Sequence, residues 1–398
     1  MTSKSFKFLD GILLSIFLLF TFYFLLFFVS TEAAVAQKAK TSEELIQKYN
    51  SGEKIRILIV PGHDDEFYGT EFGGTREVDL NRMVAKDLHS KLLSDTHFEP
   101  ILAHENNDYA PFLKNYFEKE KKKIEKFRKD HVRLFKRNIR KGNIDANLDN
   151  VDHVAANSTV VERLYGINKW SNENNIDLVI HIHFNDYGGR VWGSAGEYSG
   201  FAVYVPENQF DNAAPSIAIG NKIHENLAKI LFKSNTLVEA LYSGIIEDQD
   251  LIAIGAFNTL KVPSVLIEYS YIYEPFIHSG LFSRFSREVV NQTYKGLDEF
   301  FTQNANGARS ITSYTWITNR GENLKADPME DIYMLQLVLK AEGHYPSPGY
   351  DQITCPITGI FGSCTKEALK TFQSKNKIKA TGFLGPQTRE VLNKKYSK

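Results

Sequence analysis

The sequence predicts an α/β domain with a mixed or mostly parallel sheet flanked by helices, followed by a small C-terminal three-helix domain. Three observations point there. Continuous β-branched runs at Ile55–Val60, Leu178–Phe184, Phe201–Val205 and Val262–Glu268 read as strands buried on both faces, since a half-exposed strand alternates apolar with polar residues. Amphipathic stretches at Val78–Leu93, Val160–Glu173 and Pro215–Phe232 alternate with those runs, the rhythm of helices packed on a sheet. Beyond residue 325 the rhythm stops and the chain echoes itself 23 residues apart, from Gly359 to Gly382. At 398 residues more than one domain is expected: the α/β domain over 55–301 and the small unit over 326–398.

The N-terminus sets the compartment. Lys4 and Lys7 precede an apolar run from Ile12 to Val29, and Ala34-Val35-Ala36 before Gln37 has the small-x-small form cut by signal peptidase. Residues 1–36 therefore read as a signal peptide. The alternative is a retained N-terminal membrane anchor, because this 18-residue stretch, interrupted only by Ser15 and Thr21, is just long enough to span a bilayer. Both readings place the rest outside the cytoplasm, in the periplasm, the cell wall or the medium. Two cysteines exclude a disulfide-dense scaffold and a four-cysteine zinc site. Cys355 and Cys364 are nine residues apart, which leaves a bridge between them open. Lys plus Arg is 47 against 48 Asp plus Glu, so no global basic field points to nucleic acid.

Residues 37–54 and 302–325 are polar and read as linkers. A third stretch breaks the α/β rhythm: residues 114–141 hold thirteen Lys and Arg against Glu118, Glu120, Glu125 and Asp130. Phe117, Ile124, Phe127 and Leu134 predict a long helix with one narrow apolar seam. It is read as a solvated helix packed by that seam, with contact to an acidic polymer or anionic lipid, or a regulatory role, as alternatives. An Asn/Asp-rich loop, 142–158, follows. In the C-terminal unit, Gly359–Thr365 matches Gly382–Thr388; each threonine is read as a cap for the following helix, and Gln373 either as part of that unit's pattern or as only a surface residue.

The chemistry gathers at strand ends. His63, in Pro61-Gly62-His63, sits on a loop at a strand's carboxyl end, where α/β folds place ligands. Glu77 starts a helix 14 residues later, a place a helix dipole alone would also favour. His181 and His183 share one face of their strand, and two imidazoles closing a buried run are hard to explain by packing. Glu268 closes another. Two His and one Glu are the protein ligands of a catalytic zinc that leaves a position for water, and a further carboxylate can shuttle the proton.

With these residues in hand, 55–301 resembles the zinc-dependent N-acetylmuramoyl-L-alanine amidases (amidase type 3) that trim bacterial cell walls. The resemblance is carried by Pro61–His63, Arg76–Asn81, Arg163 with Asn168, Ile182–Asn185 and Pro263–Glu268. It implies zinc held by His63, Glu77 and His183, Glu268 as catalytic acid/base, and peptidoglycan as substrate. The C-terminal unit is similar to the three-helix peptidoglycan-binding domain, on Leu335-Gln336, Phe372-Gln373 and the repeated Gly/Thr motif.

Departures from the family pattern are Val60 before the PGH motif, Asp64-Asp65 after it, and His181 where a small residue is usual. The two carboxylates are expected to alter substrate approach or zinc affinity; His181 is expected beside the ligands, as their support or as a competing ligand. The basic stretch is an insertion at a place that gives no support to an autoinhibitory role. The expected activity is an exported amidase held on the wall through a flexible linker, with any activating partner unidentified. Its rivals are a zinc carboxypeptidase or endopeptidase acting elsewhere on the stem peptide, and a catalytically inactive wall-binding protein.

Overall fold

The computed structural model describes residues 38–145, 157–237, 239–242, 244–304, 311–317 and 328–397. The segment read as a signal peptide or anchor lies outside them, as do most of the loop 142–158 and of the linker 302–325. Among the described residues no helix is long and apolar enough to cross a membrane.

Six strands form the central sheet, in the order β4-β1-β7-β10-β8-β9. β1 (Ile55–Pro61) lies parallel between β4 (Phe98–Leu102) and β7 (Leu178–Asn185). β10 (Ser264–Tyr271) runs parallel to β7, β8 (Ala202–Pro206) antiparallel to β10, and β9 (Ile246–Asp248) parallel to β8. The sheet is mixed, and four parallel strands turn their carboxyl ends to one edge. The minor ribbons β2 (Glu71–Phe72) with β3 (Thr75–Arg76), and β5 (His104–Glu105) with β6 (Asp108–Tyr109), decorate that edge.

Both faces are covered, which is why the strands read as unbroken apolar runs. Ile57, Ile180 and Val265 pack with Val84 and Leu88 of α2 (Glu77–Leu93), Ile223 of α5 (Ala213–Leu227) and Phe285 of α7 (Phe282–Thr302). On the other face, Leu58, Val60 and Val179 pack with Leu113 of α3 (Pro111–Arg140) and Ile167 of α4 (Ser158–Glu173). The seam of α3 differs from the expected one. Leu113, Ile124 and Phe135 are buried at steps of 11 residues, three helical turns, whereas Leu134 is exposed. α3 approaches α4 closely at Gly166, where a Cβ would lie 2.7 Å from the Phe117 ring.

The segment 37–54 is not a bare tether. It forms α1 (Ser42–Asn50), started by a capping box in which Thr41 Oγ1 accepts from the Glu44 N–H and Glu44 Oε2 accepts from the Thr41 N–H. Leu45 and Tyr49 are buried, and Lys40 and Lys48 both pair with buried Asp177.

The C-terminal unit consists of α8 (Pro328–Ala341), α9 (Ser363–Lys375) and α10 (Pro386–Tyr396), after the single turn α6 (Pro275–His278) and α7 have closed the first domain. Its repeated motif works differently from the capping expected. Gly362 and Gly385 are the N-caps. Thr365 and Thr388 lie inside the helices, and each Oγ1 accepts from a buried glutamine Nε2, Gln336 and Gln373, both at 2.9 Å. The same glutamines accept the Gly359 and Gly382 N–H groups at 2.8 Å. Gln373 is thus a buried hub, not a surface residue. Cys355 and Cys364 are bonded, with Cα atoms 5.7 Å apart.

Residues 39–398 cluster as one compact unit. Within the expected linker, Trp316 is fully buried, its Nε1–H donates to the Asp331 carbonyl, and its backbone exchanges two hydrogen bonds with Asn393. The three helices dock on the α/β domain. Arg284 pairs with Glu330, Lys340 Nζ donates to the Ala228 carbonyl, and Gln352 Nε2 donates to the Ser199 and Lys233 carbonyls. The flexible tether expected from sequence is, over the described residues, a packed connection.

Candidate metal centre

Parallel pairing brings the four predicted site residues to one edge. β1 ends at Pro61, beside Ile182 of β7, and Glu268 of β10 stands opposite His183. Because β7 alternates, Ile180 and Ile182 enter the core while His181 and His183 face the other side. His63 follows β1 and Glu77 opens α2, so its carboxylate lies over the strand ends.

One ligand atom from each of His63, Glu77 and His183 falls within 4.8 Å of the others. Glu77 is the centre: Oε2 lies 3.0 Å from His63 Nε2, and Oε1 lies 3.0 Å from His183 Nδ1. Asn81 Nδ2 and the Phe184 N–H also donate to Oε1, and the Thr70 N–H donates to Oε2. Burial alone would raise the Glu77 pKa, but the charges and hydrogen bonds of the two imidazoles outweigh it and hold the carboxyl far below its ordinary range. For His63, burial opposes the charged form and Glu77 reverses that, so its pKa is raised.

The backbone here is built for close approach. At Gly62 a Cβ would lie 2.1 Å from the His183 ring; at Gly69, whose φ is +79°, it would lie 2.2 Å from Glu77 Oε2. His63 itself has φ +67°, a left-handed backbone that costs a non-glycine residue about 1–3 kcal/mol and gathers at functional sites.

Glu268 is buried, and Oε2 has no hydrogen-bond partner among the described residues. Burial, then the nearby charges of Glu77 and Glu239, push its pKa well above the carboxylate range. His181 lies apart from the cluster. It is buried, and desolvation, then the neighbouring His183, push its pKa down to about 3 against one backbone hydrogen bond at Ala253. It is therefore a neutral core imidazole. Asp64 accepts from the Glu66 and Phe67 N–H groups and pairs with Arg163, while Asp65 accepts from Arg82 and Arg76. Both organise the loop through arginines, and the Asp64 charge contributes to the raised pKa of His63.

Comparison with known proteins gives the family. The family profile described as N-acetylmuramoyl-L-alanine amidase matches residues 57–299, and that of a peptidoglycan binding domain matches 328–392. This chain belongs to the N-acetylmuramoyl-L-alanine amidase family. It is an amidase that hydrolyses peptidoglycan, and its C-terminal region is a peptidoglycan-binding domain. Solved structures similar to it include the CwlD amidase from Clostridioides difficile in complex with the GerS lipoprotein, at 15% identity over 63% of this chain and 100% of that one, TM-score 0.40. The catalytic domain of CwlV from Bacillus (Paenibacillus) polymyxa var. colistinus shows 16% identity over 63% and 99%, TM-score 0.39. Ami1 from Mycobacterium smegmatis shows 14% over 63% and 98%, TM-score 0.40. A search of curated protein sequences found no match.

One residue of this amidase escaped the sequence reading. Glu239 is buried behind Glu268 and collects Asn185 Nδ2 at 3.0 Å and the Tyr204 hydroxyl on Oε1, with Thr236 Oγ1 at 2.9 Å, the Tyr271 hydroxyl at 3.1 Å and Ser234 Oγ on Oε2. Its segment, Thr236 to Tyr242, carries neither strand alternation nor a helix pattern, so no local signal marked it.

Proposed function

We propose that the amidase is zinc-dependent, with His63, Glu77 and His183 holding the metal and Glu268 as the general acid/base. The reaction is hydrolysis of the amide joining N-acetylmuramic acid to L-alanine of the stem peptide. The observation that carries this reading is the convergence of two imidazole nitrogens on the two oxygens of one buried carboxylate. Two nitrogens and an oxygen, with one side left for a water, are the donor set of catalytic zinc, so the residues fit the ion. When bound, zinc supplies a Lewis acid that lowers the pKa of a water and polarises the scissile carbonyl.

The chain's own residues do the rest. Asn81, donating to both Glu77 and the Gly62 carbonyl, fixes the carboxylate against the loop that carries His63. Glu268, with a free buried oxygen and a raised pKa, is suited to take a proton from the attacking water and return it to the departing L-alanine nitrogen. The amidase acts outside the cytoplasm, where its polymer is; we further infer that residues 1–36 are the export signal, removed or kept as an anchor.

The test uses the purified protein, a defined muropeptide and mass spectrometry of products, with chelator and Glu268→Gln as parallel arms. Release of stem peptide with a free L-alanine amine, abolished by chelator, restored by zinc and lost in the variant, is expected. Cleavage within the peptide would refute the bond assignment, and activity that survives chelation would refute the metal.

A further inference from the structure

Over residues 111–141 thirteen Lys and Arg stand against four carboxylates, a surplus of nine, in a chain whose net charge is −1. Everything else together therefore carries a negative surplus of about ten by the same count, so charge is strongly segregated onto one helix. All thirteen cations are solvent-exposed. The seam of α3 is used against α4, Phe210 and Phe257, and Arg128, on the seam side, lies over the Tyr165 ring.

The exposed charges are ordered. Lys122, Lys126, Lys129, Arg133, Arg137 and Arg140 follow one another at steps of three or four residues. At 100° per residue this places them within about 40° of the line opposite Ile124, as a ridge about 27 Å long. No carboxylate falls on that line: Glu118 and Glu125 lie on one flank, Asp130 on the other, and Glu120 toward the seam. Asp130 pairs with Lys126 and Arg133, and Glu125 with Lys129, but exposed pairs of this kind hold their partners weakly. Further exposed cations, Lys119 and Lys136, lie within about 60° of the same line and widen the ridge into a broad basic face.

Where the chain enters the domain adds a second observation. Lys40 donates its N–H to the Lys261 carbonyl, and Lys261 pairs with Asp211. Beside Asp211, Phe210 packs on Phe135 of α3. The domain's first residues and the carboxyl-terminal half of the basic helix thus share one end. The apolar run Ile12–Val29 ends nine residues before Lys38, a reach of roughly 30 Å at most. A flat anionic surface can meet the ridge and its flanks together, which a single linear polyanion cannot.

We propose that α3 is an electrostatic docking surface that lays the amidase on an anionic phospholipid bilayer. Contact is by adsorption: the ridge holds no apolar residue to insert, and each basic side chain near such a surface contributes roughly a fivefold gain in binding.

Residues 39–398 form a compact unit with its own core, and that unit, which lacks the apolar run, is tested by co-sedimentation with vesicles. Phosphatidylcholine vesicles with phosphatidylglycerol are compared with phosphatidylcholine alone. Two variants of equal charge loss are prepared, Lys122, Lys126, Lys129 and Arg133→Gln on the ridge, and Lys114, Lys121, Lys123 and Lys141→Gln off it. Binding to anionic vesicles only, weakened by salt and reduced on the order of tenfold or more in the ridge variant but much less in the off-ridge variant, is expected. Thermal melting and hydrolysis of a soluble muropeptide should stay unchanged in both. Absence of anionic-vesicle binding, equal losses in both variants, or binding of long-chain polyphosphate without vesicles would each overturn the proposal.

Discussion

Replacing Glu268 by Gln should make the metal-free amidase more stable while removing its activity, a combination that separates a functional carboxylate from a structural one. Oε2 is buried without a hydrogen-bond partner among the described residues, and ionisation there is opposed by burial and then by the charges of Glu77 and Glu239. An amide of the same shape carries no charge to desolvate, so about 1–3 kcal/mol is recovered, or a rise in melting temperature of roughly 2–5 °C. The sign follows from linkage. With its folded pKa above the unfolded value, Glu268 binds its proton more tightly when folded, so its cost is absent below about pH 4 and grows as pH climbs toward the folded pKa. The gap between variant and wild type should therefore widen as pH rises above about 4 in chelator-treated protein, followed by calorimetry. Muropeptide turnover should fall by roughly 10²–10⁴. A variant less stable than wild type at pH 8, or a gap that does not change with pH, would refute this account of Glu268.

Other changes probe other parts. Gly69→Ala pushes a methyl group into Glu77 and His63; zinc affinity, read by competition with a chromophoric chelator, should drop at least about tenfold. His181→Asn should leave one equivalent of zinc and an unshifted pH profile, because His181 is already neutral in the range where the enzyme works. Loss of metal on analysis would restore it as a ligand. Gln373→Ala removes hydrogen bonds to Thr388 Oγ1, the Phe383 carbonyl and the Gly382 N–H. It should cost about 2–4 kcal/mol in urea unfolding while soluble muropeptide hydrolysis persists.

The sheet's centre was legible in the sequence because both its faces are covered: Ile55–Val60, Leu178–Phe184 and Val262–Glu268 all became strands with small changes at their ends. The edges were less so. β4 contains Pro100, tolerable because it lies at the sheet's border, and β9 is only three residues long. α1 had a readable signature in Thr41-Ser-Glu-Glu44 that the polarity of 37–54 obscured. At the site, His63, Glu77, His183 and Glu268 could be found because each closes or follows an element with a strong pattern. Nothing comparable marks Glu239, whose partners come from four separate places in the chain. The partners of Asp64 and Asp65 were equally hidden, since Arg163 is nearly a hundred residues away. The two glutamine hubs were hidden for the same reason.

The docking of the wall-binding helices changes how the two halves of the amidase cooperate. A flexible tether raises local substrate concentration but leaves the site free to meet the polymer in any orientation. Here the Phe276 and Tyr333 rings meet at a tilt, Arg284 joins Glu330, and Gln352 holds the carbonyls of Ser199 and Lys233. The Ser199 N–H in turn donates to Asn235 Oδ1 and its carbonyl accepts the Asn235 N–H, next to Ser234, one of the groups that fix Glu239. The peptidoglycan-binding helices therefore brace the segment that carries Glu239, the charged neighbour of Glu268. Contact alone does not make this a switch, because a switch needs a second stable arrangement of the same elements. What the packing supplies is a fixed frame between the peptidoglycan-binding helices and the amidase domain, held at Arg284, Lys340 and Gln352.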